Sequence, residues 1–154
     1  MNVKLITQAK KNSRDYKIIE KFVAGIVLTG NEIKSLHNHQ TSISEAYILP
    51  HQKELYISNM HISAYKYSHA SDLAKAHNTK RKRKLLLNRK EINKIIRQLK
   101  SKNYVLIPLQ LFFSNKGWAK LEISLAQRLR KYQLKEKLKE KDLKKSLRND
   151  NDYE

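Results

Sequence analysis

Val105-Leu106-Ile107-Pro108-Leu109-Gln110-Leu111-Phe112-Phe113 and Ala119-Lys120-Leu121-Glu122-Ile123-Ser124-Leu125, separated by Ser114-Asn115-Lys116-Gly117 and Trp118, decide the fold. Val105, Ile107, Leu109, Leu111 and Phe113 alternate along the first run, and Ala119, Leu121, Ile123 and Leu125 along the second. Period-two alternation places each set on one face of a strand, so the pair predicts an antiparallel hairpin with one face on a core. Working back along the chain, residues 16–28 are rich in β-branched and aromatic types and predict one long strand, with Gly25 marking a bulge or bend. Residues 45–49 and 54–58 predict a second hairpin across Pro50-His51-Gln52-Lys53. About five strands with two short helices, one inserted before the last strand pair, predict a small closed or half-closed antiparallel barrel of mainly β class.

Two helix starts are legible. Thr29 with Glu32 three residues on forms a capping box, and Ile33 and Leu36 follow as a buried stripe. Asn88 with Glu91 opens another helix, whose Ile92, Ile95, Ile96 and Leu99 fall at i, i+3, i+4 and i+7. Between Met60 and Lys84 no period holds, which predicts a long basic loop dotted with His61, Tyr65, Tyr67, His69 and His77. Beyond Ala126 the pattern changes: residues 127–148 lack Gly and Pro and are rich in Lys, Glu, Leu and Arg. Their apolar residues hold no strict heptad, so the segment predicts a tail that is marginal alone and helical when bound. The expected division is a barrel over 1–126, with 1–14 a flexible lead, and a basic tail over 127–154.

The charge narrows the partners. In 154 residues, 33 Lys+Arg stand against 14 Asp+Glu, a formal net charge of +19, which is a nucleic-acid-binding composition. Residues 61–102 hold 13 basic and 2 acidic residues, against 10 and 6 in residues 127–154, so the positive field is concentrated mid-chain. The absence of cysteine excludes disulfides, thiol catalysis and Cys-based metal centres. No apolar run reaches bilayer-spanning or signal-peptide length, which points to a soluble, cytoplasmic chain without a membrane partner.

Catalytic chemistry finds no constellation. The carboxylates are scattered, with no pair spaced to hold a divalent ion, and the three glycines form no phosphate cradle. His37-Asn38-His39 lacks the third ligand a zinc site needs, so the two histidines read as polar side chains at the surface. The expectation is therefore a non-enzyme with no metal and no cofactor. The run Lys80-Arg81-Lys82-Arg83-Lys84 could be a solvated solubility feature or a nuclear-localisation tag, but five adjacent cations near Tyr65, Tyr67 and His77 fit phosphate neutralisation beside stacking partners better. Asn88 reads as a helix N-cap, a position that can also sit beside phosphate.

Ala24-Gly25-Ile26-Val27-Leu28-Thr29-Gly30-Asn31-Glu32-Ile33-Lys34-Ser35-Leu36 resembles the AGIVLTGxEVKSLR signature of the SsrA-binding protein (small protein B) family. Three further segments agree in order, namely residues 59–65, 82–92 and 107–113, and the resemblance runs from about Tyr16 to Asp142. It implies an oligonucleotide-binding (OB) barrel that grips the tRNA-like domain of transfer-messenger RNA and delivers it to the A site of a stalled ribosome. The chain would act there as a monomer on its RNA, in trans-translation. The alternative is a ribosomal or general single-strand RNA-binding structural protein on the same barrel. The RNA-binding residues so implied are Leu86 and Asn88 of the RKLLLN segment with Lys84 beside them, Tyr16 of the first strand and Lys34 of the signature. They join Lys80, Arg81, Lys82 and Arg83 of the basic run. The family's tail enters the vacant mRNA channel as a helix, a role that would fall here on Arg128, Arg130, Lys131, Tyr132 and Lys135.

The chain departs from the family pattern at three places. Val23 stands where the family usually has the Glu of FEAGI, a residue tied to RNA binding. The tail pattern AxGKKxYDKR reads here Ala126-Gln127-Arg128-Leu129-Arg130-Lys131-Tyr132-Gln133-Leu134-Lys135, keeping the tyrosine but losing the Gly, one Lys and the Asp-Lys pair. The upstream ARHDY is reduced to Asn12-Ser13-Arg14-Asp15-Tyr16.

Overall fold

A computed structural model of the chain describes residues 3–64, 79–129, 135 and 138–145. Its elements follow the order β1 (Lys4–Gln8), α1 (Lys10–Asp15), β2 (Tyr16–Ile26), α2 (Gly30–His37), β3 (Thr41–Ser42), β4 (Tyr47–His51), β5 (Glu54–Ser58), β6 (His61–Ile62), β7 (Arg83–Leu86), α3 (Arg89–Ser101), β8 (Val105–Phe113) and β9 (Ala119–Arg128). Every strand pairing is antiparallel. One seven-stranded sheet runs β1-β8-β9-β2-β7-β5-β4, and β3 pairs with β6 in a separate ribbon. The OB-like class holds, but the sheet is half-closed: β1 and β4 are its edges and no ladder joins them.

The core lies on the concave side. Ala24, Leu36, Leu55, Ile57, Leu85, Ile95, Leu111, Leu121 and Ile123 are fully or almost fully buried there. Helix α3 contributes Ile92 and Ile95 and keeps its Lys and Arg outside, as its 3.6-residue period requires. Between β4 and β5 the reversal is a two-residue turn in which Gln52 and Lys53 both take positive φ, +50° and +64°. That conformation matches the right-handed strand twist.

Several expectations are corrected. Within the expected flexible lead over 1–14, Lys4–Gln8 forms a strand and Lys10–Asp15 a helix. Lys4–Gln8 pairs with β8, and Ile6 and Ala9 are buried, so residues 4–9 are held against the sheet by edge pairing. The bend in β2 falls not at Gly25 but at Ile19, where two residues oppose one of β9. A similar slip follows Pro108 in β8. The extra residue, Leu109, reverses the phase of the strand, so Leu111 and Phe113 face the main core while Ile107 and Leu109 join Ala126 in a small cluster. Sheet pairing in β9 reaches Arg128, opposite Tyr16, and Leu129 N donates to Asp15 O at 3.1 Å. Sheet pairing therefore continues two residues past Ala126. In the tail, residues 135 and 138–145 are helical and exposed.

Candidate nucleic-acid interface

The register of the sheet assembles the site. On the convex side, Gly25 lies opposite Leu86 on one flank and Lys120 on the other. Directly paired residues in antiparallel strands point to the same face, so Val23, Leu86, Lys84, Lys120 and Glu122 share this side. Leu86 and Val23 are 52% and 53% exposed, which no packing requirement explains. A Cβ on Gly25 would stand 3.2 Å from the Leu86 Cβ, so glycine leaves room for the Leu86 side chain to lie across the β2 backbone. Immediately after β7, Asn88 caps α3, its Oδ1 accepting the Glu91 N–H at 3.0 Å. The capping reading of Asn88 is thus realised on the border of the same face.

The basic run is not a uniform solvated loop. Lys80 and Lys82 are exposed and Lys84 is half-buried, but Arg83 is the opposite of solvated, with its side chain fully buried. Arg83 Nε donates to Glu32 Oε2 at 2.6 Å, and Nη2 closes a second contact with the same oxygen. Nη1 reaches Met60 O at 2.6 Å and Nη2 reaches Thr79 O at 3.0 Å. Arg81 Nη2 takes Glu32 Oε1. Glu32 meanwhile accepts the Thr29 N–H at 3.0 Å while its own N–H donates to Thr29 Oγ1, the reciprocal capping box. Burial opposes ionisation of Glu32, yet the Thr29 N–H and the Arg83 and Arg81 guanidinium groups together hold its carboxyl below the ordinary 4.5. Arg83 is pushed down, first by burial, with Glu32 opposing.

One carboxylate thus fixes two arginines, and with them the segment that presents Lys80, Lys82 and Lys84. The signal in the sequence was a choice of base. In a chain where 25 of 33 basic residues are lysine, Arg81 and Arg83 stand out, and a guanidinium fork suits a carboxylate as an ammonium does not. Tertiary contact, however, supplies the partner: Glu32 lies about fifty residues earlier in the chain.

The remaining expected residues fall elsewhere. Lys34 is exposed on α2. Tyr16 starts β2, nine residues and roughly 30 Å of strand from Gly25. It lines a cleft at the open seam of the sheet, about 500 Å³, with Tyr47, Leu49, Lys100 and Tyr104. Arg128 ends β9 exposed, and Lys135 is helical and exposed. Arg130, Lys131 and Tyr132 lie outside the described residues, as do Tyr65, Tyr67, His69 and His77. His37 stacks on Phe113 with ring centroids 4.3 Å apart, and His39 Nδ1 meets Ile6 O at 3.2 Å, so these two histidines have structural contacts. Among the described residues no three His, Asp or Glu side chains gather as metal ligands, and no helix is long and apolar enough to cross a membrane.

Comparison with known proteins finds relatives over most of the chain. Residues 6–152 match the family described as SmpB protein. An SsrA-binding protein of Mycoplasma mycoides subsp. mycoides SC is 42% identical over 92% of this chain and 93% of its own. One from Sulfurihydrogenibium sp. is 40% identical over 96% and 93%. A solved structure described as "tmRNA-SmpB: a journey to the center of the bacterial ribosome" superposes with a TM-score of 0.64 at 30% identity, covering 86% of this chain and 93% of the other.

Proposed function

Because this chain belongs to the SmpB protein family, we infer that it binds the tRNA-like domain of transfer-messenger RNA and delivers it to the A site of stalled ribosomes for trans-translation. The observation that carries the RNA-binding part is the convex face, where Leu86 is exposed over Gly25 beside Lys84 and the Asn88 cap. Exposed apolar groups next to cations suit RNA, whose unstacked bases need a contact surface and whose phosphates need neutralising. The chain acts as an adaptor in the cytoplasm and not as an enzyme: its work is recognition, with no bond made or broken by its side chains. Lys80, Lys82, Lys84, Leu86 and Asn88 contact RNA, while Arg81 and Arg83 act through Glu32 as positioning residues. Tyr16 and Lys34 extend the contact at its margins.

The tail beyond Leu129 is the ribosome-binding unit, with Arg130, Lys131, Tyr132 and Lys135 as its cationic and aromatic contacts and Arg128 at its root. Sequencing of RNA co-purified with the full chain tests the first part: one dominant tRNA-like species is expected, and a broad RNA population would instead indicate a general single-strand binder. Truncation after Leu129 tests the second. It should leave affinity for the tRNA-like domain within about twofold, since the convex face is untouched, and abolish peptide tagging in a reconstituted stalled-ribosome assay. Tagging by the truncated chain at the full rate would remove the tail from the mechanism.

A further inference from the structure

Trp118 is the chain's single tryptophan and is 66% exposed. Its backbone, by contrast, is fixed. The Trp118 N–H donates to Ser114 Oγ at 3.2 Å, Ser114 N donates to Trp118 O at 2.8 Å, and Gly117 N donates to Ser114 O at 2.9 Å. Gly117 takes φ +81°, a conformation glycine tolerates and other residues resist. A rigid hairpin tip thus holds a large aromatic ring in water, where burying it would have been favourable.

The register shows where that ring stands. Ser114 and Trp118 close the hairpin one step beyond Phe113 and Ala119, so Trp118 shares the face of Lys120, two residues on. Lys120 lies opposite Gly25, and continuing the antiparallel register by two residues brings Trp118 opposite Val27. Val27 is 44% exposed and donates its N–H to Lys84 O at 3.0 Å, and Lys84 pairs in turn with Tyr56. Trp118, Val27, Lys84 and Tyr56 therefore form one row across the convex face, on strands spaced about 4.8 Å apart. The adjacent row holds Lys120, Gly25 and Leu86. Trp118 stands about 10 Å from the β7 strand that carries Lys84 and Leu86.

We propose that Trp118 is a base-stacking site at the far margin of the RNA interface, taking an unpaired nucleobase of the tRNA-like domain, with Lys116 and Lys120 neutralising the flanking phosphates. The proposal rests on the reading of the convex face as the RNA surface and extends that surface across β2 to the β8–β9 hairpin. Continuity with Leu86 and Lys84 selects the occupant, as does the sign of the surrounding charge. A base stacked on indole also loses little to ordering, because the hairpin already fixes the backbone.

The lone tryptophan makes the test direct. A transcript of the tRNA-like domain, end-labelled, is titrated into the full chain while indole emission and label anisotropy are both recorded. Emission should be quenched with the same midpoint as the anisotropy change. Trp118→Ala should raise Kd about tenfold, as loss of one stacked base does, and Trp118→Phe should stay within about threefold of the parent, with thermal midpoints unchanged. Anisotropy that rises normally while emission is unchanged, or Trp118→Ala binding as tightly as the parent, overturns the stacking site and leaves the RNA interface standing. Quenching that appears only when ribosomes are added would move the base to ribosomal RNA and overturn the assignment to the tRNA-like domain. No anisotropy change at all would overturn both readings.

Discussion

Glu32→Gln is the perturbation that most directly probes how the interface is built. The Glu32 side chain is 13% exposed and Arg83 is fully buried, so water cannot replace what the substitution removes. The carboxylate now accepts from the Thr29 N–H, from Arg81 and twice from Arg83. An amide supplies one acceptor oxygen, and its NH₂ group faces a guanidinium with which it cannot bond. Removing one partner of a buried ion pair costs about 3–5 kcal/mol, because the other charge is left uncompensated. Arg83 keeps the carbonyls of Met60, Thr79 and Arg81 as acceptors, which places the loss near the lower end, about 3 kcal/mol. For a chain of this size that corresponds to a fall in Tm of roughly 6–12 °C. Chemical denaturation followed by circular dichroism would measure it. Thr29→Ala, which removes the cap but not the ion pair, should cost only about 1 kcal/mol. RNA affinity should also fall in Glu32→Gln under conditions where the protein remains folded, because residues 79–83 lose their anchor to α2. A stability loss below about 1 kcal/mol together with unchanged RNA affinity would refute the reasoning, since a solvated carboxylate would behave that way.

Acid titration should show the same group: with its carboxyl held below 4.5, Glu32 contributes stability that is complete above that pH and is lost as pH falls through its folded value, so the acid limb of the parent's stability curve should flatten in Glu32→Gln. Asn88→Asp should keep Tm, since Asp caps as well as Asn, and should weaken RNA binding by placing a negative charge at the border of the convex face; gel-shift titration beside a thermal melt separates the two. Neutralising Lys80, Lys82 and Lys84 together should lessen the slope of log K against log salt by about 2–3, measured by filter binding from low to moderate salt, provided all three contact phosphate. An unchanged slope would leave these lysines as solubility features.

Much of this protein was legible along the chain because local rules governed it. Alternation in residues 105–125 predicted the hairpin, and the Thr29–Glu32 and Asn88–Glu91 spacings predicted two helix starts that the backbone adopts. Caps are short-range, and a strand's two faces differ in solvation wherever one packs on a core. The bulges at Ile19 and Leu109 were not legible, because each depends on the partner strand against which the extra residue is counted. Nor was β1, which is a strand only by pairing with residues more than a hundred positions later. For the site, the sequence by itself marked the basic run and the Asn88 cap, and the family resemblance supplied Leu86 and the expected RNA-binding role. Only the tertiary structure separated Arg83 from its lysine neighbours, turning it inward to Glu32 while Lys80 and Lys82 stay in water. The reason is that charge is a property of a residue but solvation is a property of a place, and which of five adjacent cations is buried depends on where a single carboxylate folds against them.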